Sequence, residues 1–414
     1  MNPRRCLSHL PRIGASSLML SLAASRMSAD VVIDWNSAMT HYNEGQPPPG
    51  MPPLELRAYA MAHIAMFDAI RAATDGRSNA EAAAALAAHD VLIKLLPGGV
   101  AEFDALLAKQ LGAITDGVDK TAGVEVGARA ATDVLAARAN DGAATGEGPY
   151  QPGSRPGDYR FTPPFDGPPF NGYAHFPNLG KVTPFVLKSG AQFRSPPPYT
   201  LTDPEYAYDF NEVKALGARD SAVRTSDQTA TARFYYESSG FTWNRAARIL
   251  AAKQNDSLLD HARLFAALNA AMADTIIAGF DSKYAYTFWR PVTAIHRAAN
   301  DGNDLTSADP AWEPLMLTPP MPDYPSTHSS VGAAAAVVLI WFFHGDDQTF
   351  TLSSTMSAQF PDLRPRTYRH ISDLAVETAL SRVFAGIHFR RACLAGLEQG
   401  HAVGTWVVQH APYA

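Results

Sequence analysis

Five cationic or titratable residues lie within strongly apolar sequence in the C-terminal half of the chain: Lys283, Arg290, His328, Arg382 and His388. Four aromatic residues separate the first two, in DSKYAYTFWRP, and apolar residues separate the last two, in SRVFAGIH. Such surroundings predict little exposed surface, and a buried cation requires a compensating anion. An ordinary solvated pair is the alternative for Lys283 and Arg290. If the five converge, they form an anion site with imidazole acid–base groups.

The stretch YPSTHSS, residues 324–330, places His328 at the start of a predicted buried helix. Pro325 disfavours helical backbone at Tyr324, Ser326 is a good N-cap, and a small apolar run follows. The first helical turn offers unpaired N–H groups and the positive end of the helix dipole, which suits an anion. A serine cap near a histidine is also common without any function. This stretch therefore indicates a functional site only if partner residues from elsewhere in the chain join it.

Two spacings would bring those partners together. On one helix, Lys283 and Arg290 would share a face about two turns apart, so both could reach one ligand. Gly386 either breaks a helix or lets another backbone approach. We therefore expect His388 to begin a new helix that continues from Phe389 to Val408.

Helical periodicity recurs along the chain, without sustained β alternation or internal repeats, so the predicted fold class is all-α. The predicted helices lie at 54–73, 79–95, 100–112, 120–139, 205–216, 225–238, 243–254 and 257–280. His63, inside the first of them, is predicted to be a hydrogen-bonded core histidine.

Composition changes divide the chain into regions. Residues 30–145 form a predicted N-terminal helical layer, and residues 205–414 a predicted helical bundle that contains the five residues named above. Between them, residues 146–204 are rich in proline, glycine and aromatic residues, which is typical of an ordered loop or a linker. A disordered linker rarely contains so many Phe and Tyr residues, so we expect this loop to wrap the helical body.

Overall composition excludes several classes of function. The 414 residues are 46% hydrophobic, enough for a substantial core, and a net charge of −6 argues against nucleic acid as a partner. Cys6 and Cys393 are the only cysteines, so a disulfide framework and a multi-cysteine metal site are excluded. There is no H-E-x-x-H motif, and a divalent metal is not implied.

The N-terminus resembles an export signal. Arg4, Arg5 and Arg12 precede an apolar run at 13–24 and a small-residue cleavage site near Ser28. We expect residues 1–29 to be a cleaved signal peptide, the mature protein to be periplasmic or secreted, and no integral membrane segment to remain. A disordered tail is the alternative.

Three motifs in order resemble those of the superfamily that joins vanadium-dependent haloperoxidases, type 2 phosphatidic acid phosphatases and class A bacterial acid phosphatases. They are Lys283-x6-Arg290-Pro291, Pro325-Ser326-Thr327-His328 and Ser381-Arg382-x5-His388. Chain length, the N-terminal helical layer and the phrase FWRPVTAIHRAAND are similar to the bacterial haloperoxidase-like branch. The resemblance implies a helical bundle with a rigid oxyanion site.

The resemblance also implies residue roles. Vanadate would be the cofactor, and phosphate could occupy the same site. The non-bridging oxygens would be neutralised by three cations and bonded by a hydroxyl and an amide: Lys283, Arg290, Arg382, Ser326 and Thr327. His388 would bond the central atom and His328 would be the acid–base group. Phe280 and Met321 would be the halide-pocket candidates.

Two departures from the family pattern limit this assignment. Thr327 occupies the position usually held by glycine. The aspartate often found four residues after the last histidine is also absent, because Ala392 follows His388 at that spacing. Such a carboxylate orients the imidazole, and losing a partner of this kind typically costs about 10- to 100-fold. Another carboxylate or a backbone carbonyl would have to replace it.

Three functions fit this pattern. The favoured one is a peroxidase that uses hydrogen peroxide, halide and a small organic acceptor. The second is a soluble acid phosphatase acting through a phosphohistidine, and the third an oxyanion-binding protein without turnover. A serine hydrolase is weaker, because no G-x-S-x-G elbow is present. The sequence leaves open the halide, the acceptor and the oligomeric state, including a homo-oligomer.

Overall fold

The computed structural model describes residues 30–45 and 52–414. Within these ranges the chain forms thirteen α-helices and one two-stranded sheet, which confirms the predicted all-α class. The helices are α1 (Val31–Glu44), α2 (Pro52–Thr74), α3 (Ala80–Leu95), α4 (Val100–Ala113), α5 (Val118–Ala137), α6 (Pro204–Leu216), α7 (Ser226–Phe234), α8 (Ser239–Ala251), α9 (Leu258–Tyr286), α10 (Pro291–Arg297), α11 (Thr327–Phe342), α12 (Ile371–Phe384) and α13 (Arg390–His410). The strands are β1 (Asp347–Leu352) and β2 (Arg366–His370). The predicted export signal lies outside the described residues.

Helix α9 is the central element of the bundle. Ser257 and Asp260 form a capping box at its N-terminus, and nearly every residue from His261 to Phe280 is buried. Its length and composition would allow it to cross a membrane, but 94% of its most apolar window is buried inside the protein. Helices α2, α11 and α13 pack against it. Its apolar character therefore matches its place in the core.

The N-terminal helices form a layer on α9 through α2. His63 on α2 is fully hydrogen-bonded: its Nδ1 lies 2.7 Å from the Tyr59 carbonyl oxygen and its Nε2 lies 3.1 Å from Asn36 Nδ2. Burial lowers the pKa of His63 to about 4. The prediction of a core histidine is confirmed. Helix α1, which the periodicity did not predict, begins at a side-chain cap from Asp30.

The proline-rich segment at residues 146–204 packs along α9. The Asp274 carboxylate accepts the backbone N–H groups of Phe185, Val186 and Leu187 at 2.6, 2.7 and 2.8 Å. Nearer the end of α9, the hydroxyl of Tyr286 donates to the Ser195 carbonyl. These contacts hold the segment against α9.

Helices α11 and α13 approach closely along three glycines of α13, Gly396, Gly400 and Gly404. A Cβ atom on any of them would lie within 2.8 Å of a carbonyl oxygen of α11 or of its N-cap residue. The four-residue spacing places these glycines on one face of α13. The row of glycines therefore fixes how near the start of α11 lies to α13.

At two places outside the Lys283 and His388 motifs, the secondary structure differs from the sequence-based expectation. The helix predicted at 225–238 ends at Phe234, and Ser238 caps a separate helix, α8. Near the C-terminus, β1 and β2 form an antiparallel pair in which Phe350 lies opposite Tyr368. These strands are too short to show an alternating pattern, and they were missed.

Candidate active site

Lys283 and Arg290 do not share a helix, so that prediction is wrong. Helix α9 ends at Tyr286, and Thr287 adopts a left-handed conformation with φ 46°. Pro291 disfavours helical backbone at Arg290, which is extended (φ −82°, ψ 156°) and serves as the N-cap of α10. The two cations therefore lie on either side of the turn at Thr287, which separates α9 from α10.

Both cations nevertheless bind the same short segment, residues 321–323. Lys283 Nζ donates to the carbonyl oxygens of Pro322 at 2.8 Å and Asp323 at 3.0 Å. Arg290 Nε donates to the Met321 carbonyl at 2.7 Å. Both side chains are buried, and burial lowers the pKa of Lys283 well below its ordinary value. The turn at Thr287 thus brings Lys283 and Arg290 to one place, which the sequence led us to expect from a shared helix face.

His388 lies in the turn between α12 and α13, not at the start of a helix as predicted. Helix α12 ends at Phe384, and Gly386 has φ +78°. A Cβ atom on Gly386 would lie 2.3 Å from the Gly217 carbonyl oxygen, so this glycine both ends the helix and permits a close backbone approach. Helix α13 begins two residues after His388.

Arg290 and Asp323 define the tautomer of His388. Arg290 Nη1 lies 3.0 Å from His388 Nε2 and 3.4 Å from Nδ1, and a guanidinium can only donate, so the nearer nitrogen, Nε2, accepts. The proton of the neutral ring is then on Nδ1, which lies 2.8 Å from Asp323 Oδ1. Burial, with Arg290 and Lys283 nearby, holds the pKa of His388 well below its ordinary value. His388 is therefore neutral, with a lone pair on Nε2.

His328 has the opposite tautomer. It lies in the first turn of α11, where Ser326 is the N-cap as predicted. His328 Nε2 lies 3.1 Å from the Glu237 carbonyl oxygen, an acceptor only, so Nε2 carries the proton. Burial, then Arg382, holds the pKa of His328 well below its ordinary value. The lone pair is therefore on Nδ1, where it can accept a proton.

Arg382 is a buried cation with an unused donor. Its Nη1 donates to the Tyr235 carbonyl at 2.8 Å, and its guanidinium carbon lies 5.8 Å from the ring centroid of Tyr236. Its Nε is buried and has no hydrogen-bond partner. Burial lowers the pKa of Arg382 to about 10. A buried donor without a partner is costly, and an anion beside it would remove that cost.

The site carries an excess of buried positive charge. Among the described residues, Asp323 is the one carboxylate within 4 Å of any of the three cations, 3.9 Å from Arg290 Nη1. Burial raises the pKa of Asp323 to about 7, against the effects of Arg290 and Lys283. Three cations facing one weakly ionised carboxylate favour an anionic ligand.

The two halide-pocket candidates have different surroundings. Met321 adjoins the cations, because its carbonyl bonds Arg290. Phe280 is buried, and its ring centroid lies 6.3 Å from that of Tyr284 and 6.5 Å from that of His175. Its neighbours thus include the wrapping segment.

Sequence reasoning missed three residues that hold the site together. Tyr235 and Glu237 supply backbone carbonyls from the break between α7 and α8, and any residue type could do so. Asp323 supplies a side chain and had a readable signal: it is a carboxylate three residues before Ser326, the cap of a helix predicted to be buried. A buried carboxylate near predicted buried cations indicates a partner.

Comparison with known proteins agrees with this geometry. A family model described as the VCPO second helical-bundle domain matches residues 263–413, which include the five residues identified from the sequence. The chain is 25% identical over 488 aligned residues to the vanadium chloroperoxidase of Curvularia inaequalis, covering 88% of this chain and 79% of that protein.

Solved structures give the same result. The crystal structure of a bacterial vanadium-dependent iodoperoxidase is 27% identical, with a TM-score of 0.76, covering 92% of this chain and 95% of that one. The holo form of a bacterial vanadium-dependent chloroperoxidase is 19% identical, covers 89% and 94% and has a TM-score of 0.70, which shows a shared fold. The chain is therefore similar to vanadium haloperoxidases over most of its length, and residues 263–413 match the second helical-bundle domain of that family.

Proposed function

We propose that this chain is a vanadate-dependent haloperoxidase that oxidises halide with hydrogen peroxide and transfers the oxidised halogen to a small organic acceptor. One observation carries the proposal: three buried cations lie near a single buried carboxylate, beside a neutral histidine whose lone pair is on Nε2. The chloroperoxidase and iodoperoxidase named above support this chemistry over others available to the superfamily.

The residues present fit vanadate. Lys283, Arg290 and Arg382 supply positive charge for its oxygens, and the unpaired Nε of Arg382 supplies a donor. Ser326 Oγ and the Thr327 amide, at the N-terminus of α11, add hydrogen bonds where the helix dipole favours negative charge. His388 would hold the metal through Nε2. When bound, vanadate supplies the electrophilic centre on which hydrogen peroxide is activated toward halide.

His328 supplies acid–base chemistry. Its neutral Nδ1 would take a proton from hydrogen peroxide as the peroxide enters the site. The Glu237 carbonyl fixes the ring by accepting from Nε2. The side chain of Glu237 is itself held by Arg245, Thr242 and Thr355, so this carbonyl has a defined position. His328 thus presents the basic nitrogen and not the protonated one.

Phosphate has the charge and shape of vanadate, so an acid phosphatase is the competing function. The experiment uses the purified chain with added orthovanadate. Peroxide-dependent bromination and iodination of a dimedone reporter are measured beside hydrolysis of an aryl phosphate. Halogenation that requires orthovanadate, with no phosphate turnover, supports the proposal. Phosphate hydrolysis without halogenation would show that the chain is a phosphatase, and anion binding without either activity that it only binds oxyanions.

A further inference from the structure

We propose that Asp323 is the positioning residue for His388, in place of the aspartate that is missing at position 392. The inference rests on the proposed function, because it assigns a role toward the vanadate ligand His388. The observation is spatial: Asp323 Oδ1 lies 2.8 Å from His388 Nδ1, and both residues are buried.

The contact comes from a different part of the chain than the spacing predicts. Asp323 precedes the α11 cap, and its backbone N–H donates to the Phe288 carbonyl at 2.9 Å. Lys283 also bonds the Asp323 carbonyl. These two bonds, one on each side of the Cα atom, anchor the residue. The carboxylate therefore approaches the imidazole from the segment that both cations hold.

Asp323 and Ala392 line the same small cavity, of about 10 Å³. Phe389, which follows His388, also lines it. A carboxylate on residue 392 would thus enter the space that Asp323 now borders. The cavity is about the size of one water molecule, so it cannot take a second carboxylate beside the first.

A carboxylate in this position has one clear effect on the imidazole. It stabilises the proton on Nδ1, and Arg290 at Nε2 requires the same tautomer. Neither oxygen of Asp323 makes a hydrogen bond of normal geometry, so its contact with Nδ1 is a close approach of a carboxylate to the ring nitrogen. Asp323 therefore keeps the lone pair of His388 on Nε2.

A positioning role and a purely electrostatic role of Asp323 predict opposite changes in orthovanadate affinity when Asp323 is replaced. Asp323→Ala removes a negative charge beside three cations, so electrostatics alone predicts tighter anion binding. Loss of an orienting partner predicts orthovanadate binding weaker by about 10- to 100-fold. Asp323→Asn keeps an oxygen acceptor for Nδ1–H and should lose much less affinity. The double variant Asp323→Ala with Ala392→Asp should regain affinity, because it returns a carboxylate to the same cavity.

Orthovanadate affinity is measured by calorimetry for the wild type and these variants. In parallel, the tautomer of His388 is read by NMR of ¹⁵N-histidine-labelled wild type, with its signals assigned from a His388→Gln sample. Weaker binding by Asp323→Ala, with recovery in the double variant, supports the inference. Equal or tighter binding by Asp323→Ala overturns it.

The NMR measurement decides the outcome if Asp323→Ala does not fold, and it also separates the two proposals. A proton on Nδ1 of His388 supports the role of Asp323, and a proton on Nε2 overturns that role. If the wild type does not bind orthovanadate, the proposed function fails. Even then, the tautomer of His388, and its change in Asp323→Asn, still test the contact between Asp323 and His388.

Discussion

The methyl group of Thr327 packs against Gly279: a Cβ atom on Gly279 would lie 2.8 Å from Thr327 Cγ2. Helix α9 thereby accommodates the side chain that replaces the usual glycine at this motif position. We expect Gly279→Ala to push the start of α11 outward, to lower the free energy of unfolding by about 1–3 kcal/mol and to weaken orthovanadate binding. Adding Thr327→Gly should restore the binding, because the overlap disappears.

Gly112→Ala is a matched control for that pair, because Gly112 is also helical but a Cβ atom on it would have no neighbouring atom within 4 Å. This variant should gain up to about 1 kcal/mol through helix propensity and leave orthovanadate affinity unchanged. Urea unfolding and calorimetry measure both quantities. If Gly279→Ala and Thr327→Gly act additively on affinity, the two residues are not coupled as described.

Replacing Arg382 should separate stability from binding. Its buried charge lacks a carboxylate partner, so Arg382→Met should raise the free energy of unfolding without anion by about 1–3 kcal/mol, the lost bond to Tyr235 offsetting part of the gain. Orthovanadate at about 100 times its Kd should stabilise the wild type by about 2.7 kcal/mol. The variant should show no such increment in urea unfolding.

Arg366→Met serves as the control for Arg382. Arg366 is an arginine paired with Asp227 and Glu377 near the surface, and its loss should cost no more than about 1 kcal/mol. It should keep the whole stabilisation by orthovanadate. An Arg382→Met protein that still gains stability from orthovanadate would remove Arg382 from the anion site.

Glu55 makes stability depend on pH and connects the N-terminal layer to the site. Its Oε1 accepts from Ser238 Oγ at 3.1 Å, and Ser238 adjoins Glu237, which holds His328. Burial raises the pKa of Glu55 from 4.5 to about 8. The folded-state pKa is the higher one, so its stabilising contribution is complete below pH 4.5 and is lost as the pH rises toward 8.

Glu55→Gln should therefore flatten the decline in the free energy of unfolding between pH 5 and pH 8, by up to a few kcal/mol. Urea titrations at several pH values measure the slope. Glu102→Gln, on the exposed face of α4, should leave that slope unchanged. A Glu55→Gln protein with the wild-type slope would mean that Glu55 is ionised in the folded state.

Sequence patterns predicted the parts of this fold that depend on local chemistry. Ser326 as an N-cap, His63 as a core residue and Gly386 as a helix end each follow from the preferences of one residue and its near neighbours. The bundle class follows from helical periodicity, which is a local signal as well.

Long-range contacts were beyond that reasoning. The turn at Thr287 replaced a predicted helix face, and the break after Phe234 supplied carbonyls to Arg382 and His328. A backbone carbonyl leaves no mark on sequence, because every residue has one. The pairing of Asp323 with His388 joins residues 65 positions apart through the packing of α11 on α13.

The most direct test of the central claim is the rate of peroxide-dependent bromide and iodide oxidation at increasing orthovanadate concentration, for the wild type and His388→Ala. The account predicts that the wild-type rate rises with orthovanadate to a plateau, while His388→Ala stays at the rate of the enzyme-free solution. Halide oxidation that is independent of orthovanadate, or that persists in His388→Ala, would contradict it.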